Sequence, residues 1–298
     1  MNHAISSFLS GCGAAKLLFA AKQVDDLVER GNPNSSFFAL INGAWTKYPT
    51  NVGWPAITMA VARQPGQPGV VVAVSPYGDF WEVQPATLAE TTGQISQEPL
   101  QARSLSSIDN VIYLCGMGRA VLRRNGSGAW LAMGPPAPPI DDDTVIGFED
   151  IAGYSSREMY AVGWQGEIWV REDEKWRRLD SPVSANLNAV CCAEDARVYV
   201  VGDGGAMLRG RDDAWSVIDT GLHMNLMDVA FHEGKVYVVT DYQILKLADD
   251  TLVADDDFAD PGDRPATCLL LFKVEDSLFS MGPKDLFRHQ GGAWQRLV

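Results

Sequence analysis

The chain has 298 residues, 46% of them hydrophobic and nine of them Trp, enough to build two domains of ordinary size or one large all-β domain. It contains no apolar run near the ~20 residues that cross a bilayer as a helix, which excludes a span of that kind. Lys and Arg number 24 against 38 Asp and Glu, a formal charge of −14. That balance argues against non-specific binding to nucleic acid or anionic lipid, which needs clustered cations, and makes a basic partner the natural complement.

The chain opens with FLSGCGAAKLLFA at residues 8–20. Leu9, Ser10, Gly11 and Cys12 have the residue types of a lipoprotein processing site. No Lys or Arg precedes them, however, and two serines interrupt the apolar segment, whereas a secretory signal needs a basic start and an apolar stretch of roughly 7–15 residues. The expectation is instead a strand near residues 5–9, a turn supplied by Gly11 and Gly13, and a second strand near residues 16–21. There KLLFAAK lines up with KVYVVTD at residues 235–241. The stretch VDDLVERG that follows, with its paired Asp and Gly stop, predicts a short helical insertion at residues 24–30.

Further along, residues 148–180, 187–219 and 226–256 can be laid over one another, each holding four short strands. A run of the form apolar-Tyr-apolar-Val sets the second strand, and Tyr160, Tyr199 and Tyr237 mark it at intervals of 39 and 38 residues. The fourth strand opens with a Trp after a charged or glycine turn, at Trp45, Trp130, Trp176, Trp215 and Trp294. Where that Trp is missing, QPATLAE near Leu88 and ADDTLVA near Leu252 take its place. A period near forty with four strands per unit is the pattern of a propeller. The reading is therefore all-β, a single β-propeller domain over residues 1–298. Seven four-stranded blades fall at approximately 3–49, 55–92, 103–134, 147–181, 186–219, 225–254 and 265–298, and six is the alternative count. Both ends of the chain coincide with blade ends, so the ring is expected to close by packing the first blade on the last without a shared strand.

YAVGWQGEIWVR at residues 160–171 and YVVGDGGAMLRG at residues 199–210 place a glycine turn before an arginine-bearing strand. In this the chain resembles the BNR-like propellers and those of photosystem assembly factors. The resemblance covers about residues 5–298 and implies architecture; it does not identify an activity.

A search for chemistry finds little. His3, His223, His232 and His289 each stand alone, with no metal-ligand spacing around them. BNR-like propellers include sialidases, but SPYGDFW at residues 75–81 departs from their Asp-box, with Tyr77 where the Asp would stand, and no arginine triad or Tyr–Glu pair can be matched. The glycine-rich GCGAAK and GDGGAM lack the phosphate-loop pattern. Five cysteines is an odd number, and Cys115, Cys191, Cys192 and Cys268 lie in apolar runs, which fits free thiols in a reducing compartment and a cytoplasmic protein. Third strands carry a recurring cation (Arg123, Arg171, Arg209, Lys246, Arg288), readable as a basic stripe or as charges paired with nearby acids.

Acidic insertions are more informative. Residues 135–144 and 249–264 connect an outer strand to the next inner strand, and in a propeller such connections share a face with the channel rim. Asp141, Asp142, Asp143, Asp255, Asp256, Asp257 and Asp260 are expected there as solvated acids, with Glu149, Asp150 and Asp228 at the channel mouth. Together they form the candidate partner-binding set. Neither run has the spacing of a calcium loop, and no catalytic residue, cofactor or metal is assigned. The expected function is a non-catalytic protein-interaction scaffold, monomeric on its own and binding neither nucleic acid nor membrane. Its specific form is a bacterial immunity protein that neutralises a basic toxin domain through an acidic face. The alternative is a carbohydrate-binding or glycoside-hydrolysing propeller that uses the channel mouth.

Overall fold

The computed structural model describes residues 6–14, 17–62, 69–96, 100–136 and 145–298. Seven four-stranded antiparallel sheets follow one another in chain order, each running from an inner to an outer strand without crossover. The inner strands are Ser6–Ala14, Thr58–Ala62, Ala102–Ile108, Phe148–Ser155, Leu187–Cys192, Asp228–His232 and Leu270–Val274. Each lies against the next around a ring, and the last lies against the first. This is a seven-bladed β-propeller, and the count is seven and not six. Among the described residues the only α-helix is Asp25–Glu29, inside the predicted insertion.

The second strand of each blade explains why those runs are the most apolar in the sequence. Val70–Val74 and Val198–Gly202 are buried at every position. Such a strand is flanked by sheet neighbours and covered on both faces by adjacent blades, so it has no polar side and shows no alternation. Buried clusters accordingly sit between blades. One, for example, combines Tyr160, Val162 and Val170 of the fourth blade with Leu187, Val198 and Val200 of the fifth.

The Trp marker works by linking blades. Trp176 donates its indole N–H to the carbonyl of Met133 in the preceding blade at 2.7 Å and stacks near Phe148. In the sixth blade Leu252 takes the Trp position and is buried, as expected. In the second blade QPATLAE supplies the turn before the outer strand Ala89–Gln94, as expected, but no apolar side chain takes the Trp position: Leu88 is an exposed turn residue and the equivalent strand position is Glu90. There the third strand supplies Trp81 instead, fully buried and stacked on Phe37 at 3.9 Å, with Glu90 accepting its indole N–H at 2.7 Å.

Gly11 and Gly13 are not turn residues. They lie within the inner strand Ser6–Ala14, paired with Ala20 and Leu18. Close approach favours glycine: a Cβ on Gly13 would stand 2.4 Å from Val274 Cγ2 of the seventh blade and 2.6 Å from the Leu17 carbonyl, and one on Gly11 would displace the Met281 methyl, 2.7 Å away. Cys12 between them is buried against the second blade, and that burial pushes its thiol well above the ordinary range. The ring closes as expected, by side-chain packing: Phe8, Leu18 and Ala20 meet Val274, Phe279, Met281 and Leu286, and Phe8 N–H donates to the Pro283 carbonyl at 2.9 Å.

Candidate functional site

Antiparallel order places the starts of the inner strands, the ends of the second strands and the ends of the outer strands at one end of every blade. This connection face carries the links between blades; among the described residues the other carries hairpin turns. The seven inner strands enclose an axial channel of about 570 Å³.

All three proposed mouth residues, Glu149, Asp150 and Asp228, line the channel. Asp150 accepts the hydroxyl of Ser104 at 2.8 Å from the third blade and the N–H of Val190 at 2.9 Å from the fifth. Asp228 accepts the N–H of Leu271 at 2.7 Å from the seventh blade and that of Val229 at 2.7 Å. Each carboxylate therefore stitches its inner strand to the next one, as the Thr58 hydroxyl does for Leu105 N–H at 2.8 Å. Both are half-buried in the channel wall, where desolvation raises them, Asp150 to about 6 and Asp228 to about 8. The Asp228 shift also reflects repulsion from Asp150. Glu149 accepts the indole N–H of Trp164 and pairs with Arg103 at 3.3 Å. Asn186, Asn188 and Asn225 likewise bond to neighbouring turns and strands.

Asp141, Asp142 and Asp143 lie outside the described residues. The second acidic run differs from the expected solvated loop. Its residues 257–259 run beside the outer strand of the seventh blade: Trp294 N–H donates to the Asp257 carbonyl at 2.8 Å, and Ala259 N–H to the Trp294 carbonyl at 2.8 Å. Asp255 is turned inward and is 3% exposed, where it receives the Trp294 indole N–H and the Lys246 ammonium, both at 2.8 Å. It is a buried junction and not a surface acid. Asp257 shares Lys246 at 2.8 Å, and hydrogen bonding to that ammonium holds its carboxyl below the usual range. Asp256 pairs with Arg264 at 3.2 Å, and Asp260 caps Gly262 N–H at 2.9 Å. Asp256, Asp257 and Asp260 remain exposed.

The third-strand cations are largely engaged. Arg209 meets Asp250 of the next blade, Arg171 donates to the Ser156 carbonyl at 2.8 Å, and Arg288 to Gln295 at 2.9 Å. They do not form a free basic stripe.

Sequence reading missed the apolar residues on the connection face. Tyr77 and Tyr242, in turns between second and third strands, are 70% and 68% exposed, and Met224, Leu27 and Val28 are exposed in other connections on that face. Exposed acids share these segments, including Asp26, Glu29, Asp219 and Asp241. Tyr and Met are enriched at protein interfaces. A turn signal at "SPYGD" and "TDYQ" was legible, but the outward direction of the ring was not. The histidines, read as isolated, were misjudged as well: His232 and His289 meet across the seam between the sixth and seventh blades, with ring centroids 5.3 Å apart.

No protein-family model matches the chain. Over 197 residues the chain is 39% identical to "Immune protein Tsi7" of Pseudomonas aeruginosa, a match covering 65% of this chain and 63% of that protein. The chain thus spans a little under two thirds of the length of that curated relative. Among solved structures, one titled "YCF48 bound to D1 peptide" superposes with a TM-score of 0.68 at 14% identity, covering 95% of this chain and 91% of that one. The extracellular domain of the hybrid two-component system BT3049 from B. thetaiotaomicron superposes with a TM-score of 0.64 at 12% identity, covering 96% of this chain and 39% of that one. These likenesses concern the fold, and they agree with the propeller resemblance read from the repeats.

Proposed function

We propose that this chain is an immunity protein, a non-catalytic propeller that binds a toxic protein in the cytoplasm and neutralises it by occupying its surface. The observation that carries the reading is the 39% identity, over 197 residues, to a protein named as an immune protein. The chemistry of the site supports it. The channel carboxylates Asp150 and Asp228 are committed to backbone N–H groups of neighbouring strands, which leaves them holding the ring together. The five cysteines are free thiols, as suits a reducing compartment.

The docking surface is the connection face. Tyr77, Tyr242 and Met224 supply apolar anchors, and Asp256, Asp257 and Asp260 supply the negative rim that steers a basic partner. Asp255 belongs to the support of that rim and does not contact the partner. The test is capture on the immobilised chain from a lysate of its native host, followed by production of each captured protein in a test strain, alone and with the chain. The reading expects a basic protein that arrests growth alone and not in company. Capture of proteins that never arrest growth, or arrest that the chain does not relieve, would overturn it. A thermal-shift response to simple sugars would point instead to the channel as a carbohydrate site, since ligand at 100 times its dissociation constant stabilises by ~2.7 kcal/mol.

A further inference from the structure

His232 is the last residue of the inner strand Asp228–His232, and Glu233 opens the two-residue turn that follows. Glu233 and Gly234 hold φ of 48° and 76°, the left-handed pair of a tight hairpin. Strand alternation points Phe231 toward the fifth blade and Ala230 toward the seventh, and His232 shares the side of Ala230. On the seventh blade His289 sits in the third strand Leu286–Gln290. Its ring is fixed by Trp294 and Tyr237, with centroids at 5.1 and 5.2 Å, and its Nε2 lies 3.4 Å from the Tyr237 hydroxyl.

The two imidazoles are 3% and 2% exposed, yet His232 Nε2 and His289 Nδ1 have no hydrogen-bond partner among the described residues. A buried polar atom left in that state is costly and calls for an explanation. Both nitrogens face the Glu233 carboxylate, His232 Nε2 at 3.8 Å from one oxygen and His289 Nδ1 at 4.0 Å from the other. These separations are too long for hydrogen bonds. The three ligand atoms lie within 4.8 Å of one another, and ligands of a tetrahedral metal at ~2.0–2.1 Å stand about 3.4 Å apart. A shift of under about 1 Å by each group brings them onto a common centre.

We propose that His232, Glu233 and His289 form a zinc site that clamps the sixth blade to the seventh, with a fourth position open to water on the solvent side. Two imidazole nitrogens with one carboxylate are a borderline donor set that suits Zn²⁺, whereas Mg²⁺ and Ca²⁺ take oxygen shells and Cu⁺ takes sulfur. Burial favours the neutral imidazoles, which is the form that offers a lone pair. Tyr237 at His289 Nε2 orients the ring so that Nδ1 is the ligating atom. The half-exposed Glu233 carboxylate leaves a path for the ion to enter.

The test uses the full chain without a histidine tag, stripped with chelator and titrated with zinc against a chromophoric competitor. Cobalt serves as a second probe, because tetrahedral coordination gives it intense visible absorption. The native protein is expected to take up one zinc per chain and to melt at a higher temperature with zinc than with chelator. Glu233→Asn keeps a residue suited to the left-handed turn and removes the carboxylate; it should weaken zinc at least tenfold and abolish the tetrahedral cobalt spectrum. His289→Phe, which preserves bulk, should abolish uptake. Native protein that takes up no more zinc than His289→Phe, or a folded Glu233→Asn variant that binds as tightly as native, overturns the proposal.

Discussion

Replacing Asp255 by Ala separates a buried junction from a decorated loop. The carboxylate is 3% exposed and serves two partners, the Trp294 indole N–H and the Lys246 ammonium. Its removal leaves the indole of a residue that is itself 1% exposed without an acceptor, which costs roughly 1–3 kcal/mol. Lys246 is itself partly exposed and keeps Asp257, so the loss of this ion pair adds only about 1 kcal/mol. The expected total is about 2–4 kcal/mol. With an unfolding entropy of ~2.1 cal/mol/K per residue, a loss of 3 kcal/mol lowers the melting temperature of a chain this long by about 5 °C. Asp257→Ala removes an exposed partner of the same lysine and should cost less than about 1 kcal/mol. Urea and thermal unfolding of the two variants side by side make the comparison. Equal, small losses would refute the placement of Asp255 as a structural centre.

Three other outcomes follow from the geometry. Asp228 is raised from an ordinary 3.8 to about 8, so the folded state holds a proton that the unfolded chain releases; its contribution to stability falls as pH rises through about 8. Urea midpoints should therefore drop between pH 6.5 and 8.5, and Asp228→Asn should flatten that slope; a native midpoint that climbs over this window contradicts the assignment. Gly13→Ala places a methyl 2.4 Å from Val274 and 2.6 Å from the Leu17 carbonyl, and should cost about 1–3 kcal/mol in unfolding measurements. Arg124→Ala leaves Glu82, whose side chain is 4% exposed, without its bidentate partner in the next blade, and should cost about 3–5 kcal/mol by the same assay.

What the sequence disclosed and what it hid have the same physical origin. Second strands covered on both faces are apolar along most of their length, so VYVVG and VIYLCG announced themselves. The Trp that opens five of the seven outer strands marked the period for a related reason, since a large side chain there reaches the neighbouring blade. Near Leu88 the turn was legible but the fate of the indole was not, because the second blade carries it at Trp81 on the third strand, a change that pattern alone does not register. Gly11 and Gly13 looked like turn residues because glycine serves both turns and close approaches, and the approaching residues, Val274 and Met281, lie at the far end of the chain. In ADDDFAD nothing local says which Asp faces inward; Trp294, 39 residues away, decides it. The convergence of His232 and His289, 57 residues apart, required the packing of one blade's inner strand against the next blade's third strand.

The claim of neutralisation by binding is tested most directly by stoichiometry. In a strain producing the captured growth-arresting protein at a fixed level, the chain is induced in graded amounts and both proteins are quantified as growth is followed. A stoichiometric blocker restores growth only as the molar ratio approaches one, and weakening the rim through Asp256→Asn, Asp257→Asn and Asp260→Asn should shift the required ratio upward. Full growth at a ratio far below one would show that the chain acts catalytically, and arrest that persists at every ratio would show that it confers no immunity to that protein.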